Sequence, residues 1–429
     1  LGQTSLRKAP AGGPSESEHF SAWPVLKDLE GREKGDAVSR KIGDRFLVAR
    51  VIRGLVEDDL VADPGSLEQQ VRSLRLEVER VRPSDAEERI WDRILMASTS
   101  FDFEELTAAV LEWGRIVEGQ GHLNGAQEIL SLAYQLARQM GSSRQAADAA
   151  RYLGKVYRTK ARWSEAFRWY EVARDIAEEA GPPEQLAAVM DGLANAHRDR
   201  GNLPRAREIL EEVLDLGRKT GSRYAKAIGH HDLMTVEKLR GDLPSAIRHG
   251  WMAVQNYDSR DGRFRALFDL AGVLREKGEL PAAWDAYLVV SEQVEGLEAQ
   301  VLCFDALAFV AALKGDQARH DLYRKKLDAM GWQRVSPVYR GQVLYYRGLS
   351  CRALGIEGEA RTWLMQALAF AEEHGLNKLV FDAEAALESS APAPIVVPTA
   401  QDALSQDLLG VREGLRDLRE TLVGAGRPG

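Results

Sequence analysis

The sequence predicts an all-α chain built as an α-solenoid, a one-dimensional stack of helical hairpins. Two observations carry that prediction. First, a glycine or alanine is followed five residues later by alanine at Gly121/Ala126, Ala161/Ala166, Gly201/Ala206, Gly241/Ala246, Gly278/Ala283 and Gly355/Ala360, with Gly315/His320 as a degenerate copy. Successive copies are 40, 40, 40, 37, 37 and 40 residues apart, so one supersecondary unit recurs. Second, the apolar residues between copies fall at helical spacing, as in Ala146, Ala149, Ala150, Leu153, Val156 and Tyr157. A chain of 429 residues would ordinarily divide into several globular domains, but a repeat array grows in one dimension instead.

Each unit reads as two helices. In one unit the first runs over 144–159, followed by a break at Ala161-Arg162-Trp163-Ser164 in which Ser164 is placed to cap the next helix. The second runs over 165–180 and stops at Gly181-Pro182-Pro183. The next unit repeats the plan with helices over 184–200 and 205–220. Pro204, Pro244 and Pro281 fall in the first turn of second helices, where a missing N–H costs nothing. The signature alanine lets the second helix approach the first closely. Twelve positions before it the first helix also carries a small residue: Gly114, Gly154, Ala194, Ala271, Ala308 and Gly348. Met234 breaks that series.

The flanks divide the rest. Residues 1–18 read as a disordered N-terminus and 19–66 as an N-terminal helical cap, built on an amphipathic stretch that includes Ile42, Phe46, Val51 and Leu55. The array occupies 67–390 as seven or eight hairpins with a terminal capping helix at 378–388. Its first, degenerate hairpin begins near Leu67 and has Ala86 in the signature position. A Pro-rich linker follows at 391–401, then an amphipathic heptad helix at 402–424. Its seam, Leu404, Leu408, Val411, Leu415, Leu418 and Leu422, is spaced 4, 3, 4, 3, 4. That stripe must be buried on a partner, on a second copy of itself or on its own array. Docking on a partner or self-association into a homo-oligomer is the expectation, with Gly410 and Gly414 weakening an isolated coiled coil.

Several function classes find no support. There is no phosphate-cradling glycine loop, no His-Glu-x-x-His and no Cys-x-x-Cys, so no enzyme, cofactor or metal site is expected. His230 and His231 are adjacent and point about 100° apart on a helix, which prevents them from sharing a metal. The segment 257–262 resembles a fragment of a calcium loop without its bidentate acid and reads as an inter-repeat turn. Cys303 and Cys351 read as buried reduced thiols, which suits a cytoplasmic protein. A net charge of −8 disfavours nucleic acid as a partner, no apolar run is long enough to span a membrane, and the polar start lacks a secretory signal.

The run Leu153-Gly154-x-x-Tyr157, then Ala166-x-x-x-Tyr170-x-x-Ala173, resembles the tetratricopeptide repeat, and Leu193-Ala194 with Ala206 repeats it. The 40-residue spacing is similar to the long-helix subclass. The resemblance implies a right-handed superhelix whose first helices line a concave groove. Carried onto this chain, the groove positions are Leu111, Arg115 and Glu118; Arg151, Lys155 and Arg158; Asp191, Asn195 and Arg198; His231, Thr235 and Lys238; then Phe268, Arg275, Asp305, Phe309, Tyr345 and Arg352. The strip is mixed in the first unit and mostly basic in the second to fourth. The resemblance therefore implies a non-enzymatic scaffold or adaptor, whose groove holds a peptide segment, acidic or C-terminal, of a protein partner. The alternative it implies is a bacterial peptide-sensing signalling regulator, with residues 20–98 as a helical effector module.

Overall fold

The protein's structure, a computed structural model, describes residues 72, 85–100, 102–389 and 406–425. The amphipathic stretch at 38–58, Leu67 and Leu404 lie outside the described residues. The chain divides into two compact units, Leu1–Ile209 and Leu210–Gly429. Among the described residues there are seventeen α-helices and no strand.

In the first unit, α1 (Asp85–Ser100) precedes hairpins α2 (Phe103–Gly119)/α3 (Leu123–Gln139) and α4 (Ser143–Thr159)/α5 (Trp163–Ala180), followed by α6 (Pro183–Asp199). The division falls within α7 (Leu203–Thr220). The second unit continues with α8 (Arg223–Leu239)/α9 (Leu243–Asn256), α10 (Arg260–Glu276)/α11 (Leu280–Ser291), α12 (Leu297–Leu313)/α13 (Gln317–Ala329) and α14 (Pro337–Ala353)/α15 (Glu357–Glu373). It closes with α16 (Asn377–Glu388) and α17 (Gln406–Ala425). Every first helix from α2 to α14 has 17 residues, whereas second helices range from 12 to 18. The shorter intervals of the sequence repeat come from α9 and α11, with 14 and 12 residues, not from the first helices.

The repeat signature is a turn followed by a close contact. All seven leading positions adopt the left-handed conformation, from φ 55° at Ala161 to φ 89° at Gly201. The Ala161 N–H bonds to the Arg158 carbonyl and the Arg162 N–H to the Tyr157 carbonyl, both at 2.9 Å, which closes the preceding helix as a Schellman turn. The turn sends the chain straight into α5 at Trp163, with Arg162 as its N-cap. Ser164 thus sits inside the first turn of α5, and the capping role expected for it is not used. The signature alanines at 126, 166, 206, 246, 283 and 360 are fully buried.

Side-chain size is traded across each hairpin between positions sixteen residues apart. A Cβ added to Gly114 would lie 2.7 Å from Leu130, one on Gly154 2.9 Å from Tyr170, and one on Gly348 2.6 Å from Leu364. Met234, the exception in sequence, obeys the same rule with the sizes exchanged. Its facing residue is Gly250, where a Cβ would come within 2.5 Å of the Met234 sulfur. His320 is tolerated in an alanine slot because its Nδ1 lies 3.1 Å from the Ala308 carbonyl, giving the buried ring a polar partner.

The described middle of the C-terminal seam is covered by its own chain. Helix α17 packs on α11 and α9, burying Leu408, Val411 and Leu415, with Leu418 half-buried. Leu422 lies in the same helix. Arg412 donates to the buried Glu279 at 3.0 Å, and Arg419 pairs with Asp285 at 2.7 Å. Within this chain the seam thus takes the third of the surfaces open to it, its own array. The reason is complementarity: α11 and its N-cap residue supply carboxylates opposite both arginines, and any side chain at position 414 would run into Trp251 of α9. Gly414, read as a weakness in the helix, is what permits the approach.

Between α8 and α9, the Nδ1 atoms of His230 and His249 are 2.9 Å apart. Burial, aided by His249 and Arg218, pushes His230 down to about 4. An imidazole in the unfolded chain titrates near its ordinary ~6.5. As pH falls from about 6.5 to about 4 the unfolded chain therefore takes up the proton first, and stability present above this window is lost across it. His230→Phe is expected to make the urea midpoint fall less steeply with pH over this range. His197 and His320, also lowered by burial, supply the remaining slope. A slope as steep as the parent's would place the titrating group elsewhere. A second expectation concerns Ala161, the one non-glycine residue with positive φ among the described residues. Ala161→Gly should stabilise the chain by about 0.5–1 kcal/mol, the left-handed cost of alanine less the extra entropy of glycine in the unfolded state. Thermal unfolding followed by circular dichroism reads the sign, and a lower midpoint would contradict it.

Candidate peptide-binding face

The positions expected to line a groove all lie on first helices, whose constant length brings the same heptad-like rows to one face of each unit. In the first unit that face combines α2, α4 and α6. Arg115 of α2 is exposed, and its guanidinium carbon sits 5.0 Å from the Tyr152 ring centre of α4. Arg151 approaches the same ring at 4.2 Å and reaches Asp148 at 3.7 Å. Lys155 of α4 donates to Glu118 of α2 at 2.7 Å, leaving its own side chain about as exposed as it is covered. Arg158 of α4 lies 3.6 Å from Asp199 of α6, and Arg198 holds the same carboxylate at 2.9 Å. Asn195 donates to the carbonyl of Asp191 at 3.0 Å and to its carboxylate at 3.2 Å.

In the second unit the same rows carry two different kinds of contact. On α8 and α10, His231 meets Asp269 at 2.9 Å and the Tyr257 hydroxyl at 3.1 Å, while Lys238 pairs with Glu276 at 2.9 Å. From α10 onward the face turns aromatic. The Arg275 guanidinium is 5.0 Å from the Phe309 ring of α12 and 5.2 Å from the Tyr346 ring of α14. Phe309 and Tyr346 are themselves in contact, and Tyr345 packs edge-on against Tyr346. Phe268 packs edge-on against Tyr287 of α11. Asp305 is buried and held at 2.6 Å by Arg324, which also bonds the Ser350 hydroxyl at 3.1 Å. Arg352 is buried against the Ala386 carbonyl at 2.5 Å and pairs with Glu357.

The cations read from sequence as a basic strip thus have carboxylate or ring neighbours. Several of these pairs join consecutive first helices: Glu118–Lys155, Arg158–Asp199, His231–Asp269 and Lys238–Glu276. They form a ladder of opposite charges, one repeat apart, rather than an uncompensated positive stripe. Glu118 was among the expected groove residues. Asp199, Asp269 and Glu276 were not, although each stands 38 to 41 positions after its basic partner and was open to detection by comparing positions one repeat apart. The segment 257–262 is the turn between α9 and α10, with the Ser259 hydroxyl accepting from Gly262 N–H at 3.2 Å.

Chemically this face offers paired charges, amides and rings for holding a polar chain. Burial pushes the Cys303 thiol up to about 12 and also raises Cys351, so neither supplies a thiolate near neutral pH. Among the described residues, no group of three or more His, Cys, Asp or Glu is arranged to hold a metal ion, and no helix is long and apolar enough to cross a membrane.

The family model described as Tetratricopeptide repeat matches residues 186–220, which lie in α6 and α7. No curated protein matches the sequence. Among solved structures, a Rap protein complexed with competence and sporulation factor is similar at 12% identity and a TM-score of 0.45, over 89% of this chain and 99% of that one. The apo form of RapI is similar at 12% identity and a TM-score of 0.41, over 83% and 97% respectively. BtubC from P. vanneervenii is similar at 13% identity and a TM-score of 0.41, over 58% and 91%. The match thus places a tetratricopeptide repeat on α6 and α7, and the same signature turn recurs along the described helices of this all-α repeat fold.

Proposed function

We propose that this protein is a non-enzymatic scaffold whose first-helix face on α2, α4 and α6 binds an extended, acidic peptide segment of a protein partner. The observation that carries this reading is the ladder itself. Each rung has one partner open to water, Lys155 in one and Asp199 in the other, and fully exposed pairs contribute only about 0.2–1 kcal/mol, so a peptide carboxylate can compete with the protein one for the cation. A peptide acid would take Lys155 from Glu118 and Arg158 from Asp199, with Arg115 as a further cation. Asn195, bonded within its own helix, would turn to pair with the peptide backbone. Such exchange gives modest affinity that weakens as salt screens the charges. In the second unit, the engagement of Arg275 with Phe309 and Tyr346 favours packing over recognition.

The test uses full-length protein and a set of fluorescent Asp/Glu-rich nonapeptides with free C-termini, followed by anisotropy. Lys155→Ala and Arg158→Ala are expected to weaken binding about two- to fivefold each, the value of one exposed pair. Glu118→Gln should strengthen it by a similar factor, because the competing carboxylate is gone. Helicity and melting should stay at the parent's values. Unchanged affinity in all three variants would remove the peptide from this face. Weakening by Glu118→Gln would mean that Glu118 contacts the ligand instead of competing with it.

A further inference from the structure

Helix α17 lies on α9 and α11, which are second helices of their hairpins, and not on the first helices that carry the charge ladder. Nor is it needed to close the array. The last hairpin, α14/α15, is already covered by α16, which packs on both of its helices. A helix that neither caps the stack nor lines the ladder has been given a fitted seat elsewhere.

That seat has a readable specificity. Leu408, Val411 and Leu415 enter it as one apolar edge. Glu279 is a buried carboxylate and receives two bonds from Arg412, while Asp285 receives Arg419 one and a half turns further along. A carboxylate as covered as Glu279 demands a cation from whatever occupies the seat. Trp251 admits only a glycine at the point of closest approach. The occupant must therefore carry apolar residues at relative positions 1, 4 and 8, arginine at 5 and 12, and glycine at 7, as Leu408, Val411, Leu415, Arg412, Arg419 and Gly414 do. The connection from α16 to α17 contains Pro392, Pro394 and Pro398, residues suited to a spacer rather than to a continuing hairpin.

We propose that the α9–α11 face is a helix-binding site, occupied in cis by α17, and taken by an amphipathic helix of a protein partner bearing this pattern when it displaces α17. Tethering gives α17 a local concentration on the order of millimolar, so it shields the seat from weak competitors and yields to tight ones.

The probe is a fluorescent peptide copying residues 404–425, added to full-length protein. The parent chain should bind it at least about tenfold more weakly than a full-length Leu415→Asp variant, whose own α17 no longer competes. A peptide carrying Gly414→Leu should bind the Leu415→Asp chain at least about tenfold more weakly than the unaltered peptide. Arg412→Glu in the chain is the second undocking variant, used if Leu415→Asp lowers the melting temperature of the array. Equal affinity of the parent and undocked chains for the peptide would overturn the proposal. So would tolerance of Gly414→Leu in the peptide. A parent chain that sediments as a dimer, and becomes monomeric on Leu415→Asp, would replace the partner helix by a second copy of this chain.

Discussion

Two helices of a hairpin can lie close together only where one of two facing residues gives up its side chain. Gly114 against Leu130, Gly154 against Tyr170 and Gly348 against Leu364 leave no room for even a methyl group on the glycine. The rule is about the sum of the two sizes, which is why Met234 and Gly250 satisfy it in reverse. Once that contact is set, the register of the second helix against the first follows. The left-handed turn five residues before the signature alanine then has to reverse the chain in the shortest distance, as it does at Ala161 despite the lack of a glycine. The buried alanine, the turn and the facing pair are one device, and removing any of them changes the other two.

This device constrains first helices more tightly than second ones. Each first helix of the array has 17 residues, so equivalent positions recur on one face, and a charge on one helix meets its counter-charge one repeat away. Second helices are free to shorten, as α11 and α13 do. The same rows can then be filled in two ways. On α2, α4, α6, α8 and α10 they carry ion pairs between neighbouring first helices. On α12 and α14 they carry Phe309, Tyr345 and Tyr346, with Arg275 of α10 reaching toward them as a flat cation over rings. Ion pairing and ring packing are alternatives at these positions, and the second unit uses both, the first on α8 and α10 and the second from α10 onward.

The hairpin plan and the buried alanines were legible in the sequence because periodicity and residue size are local properties. The helix starts were less so. Ser164 has the right chemistry for a cap, but the backbone turn at Ala161 fixes the start of α5 at Trp163, and geometry overrode the side chain. The charge of the first-helix rows was misleading for a different reason. Lys155 and Arg158 look uncompensated when only their own helix is read, since Glu118 and Asp199 stand on neighbouring repeats. A pairing at repeat distance is invisible to a window the size of a helix. It becomes visible only once the repeat has been recognised and positions are compared across it.

The fate of α17 turns on two glycines that sequence reading treats alike. Each costs a free helix about 1 kcal/mol relative to alanine, so a detached α17 is a poor helix. A Cβ added to Gly410 would meet nothing within 4 Å, whereas one added to Gly414 would run into Trp251. The first glycine only weakens the helix; the second weakens it and also admits it to the seat. Burial of Leu408, Val411 and Leu415, each worth up to about 1.5–3 kcal/mol before the unfolded chain's own compactness is allowed for, offsets both. Helicity and docking of this segment are thus a single equilibrium. A heptad seam long enough for a coiled coil belongs here to a helix stabilised chiefly by its seat, and the identity of whatever fills that seat is written in Glu279, Asp285 and Trp251 rather than in the heptads.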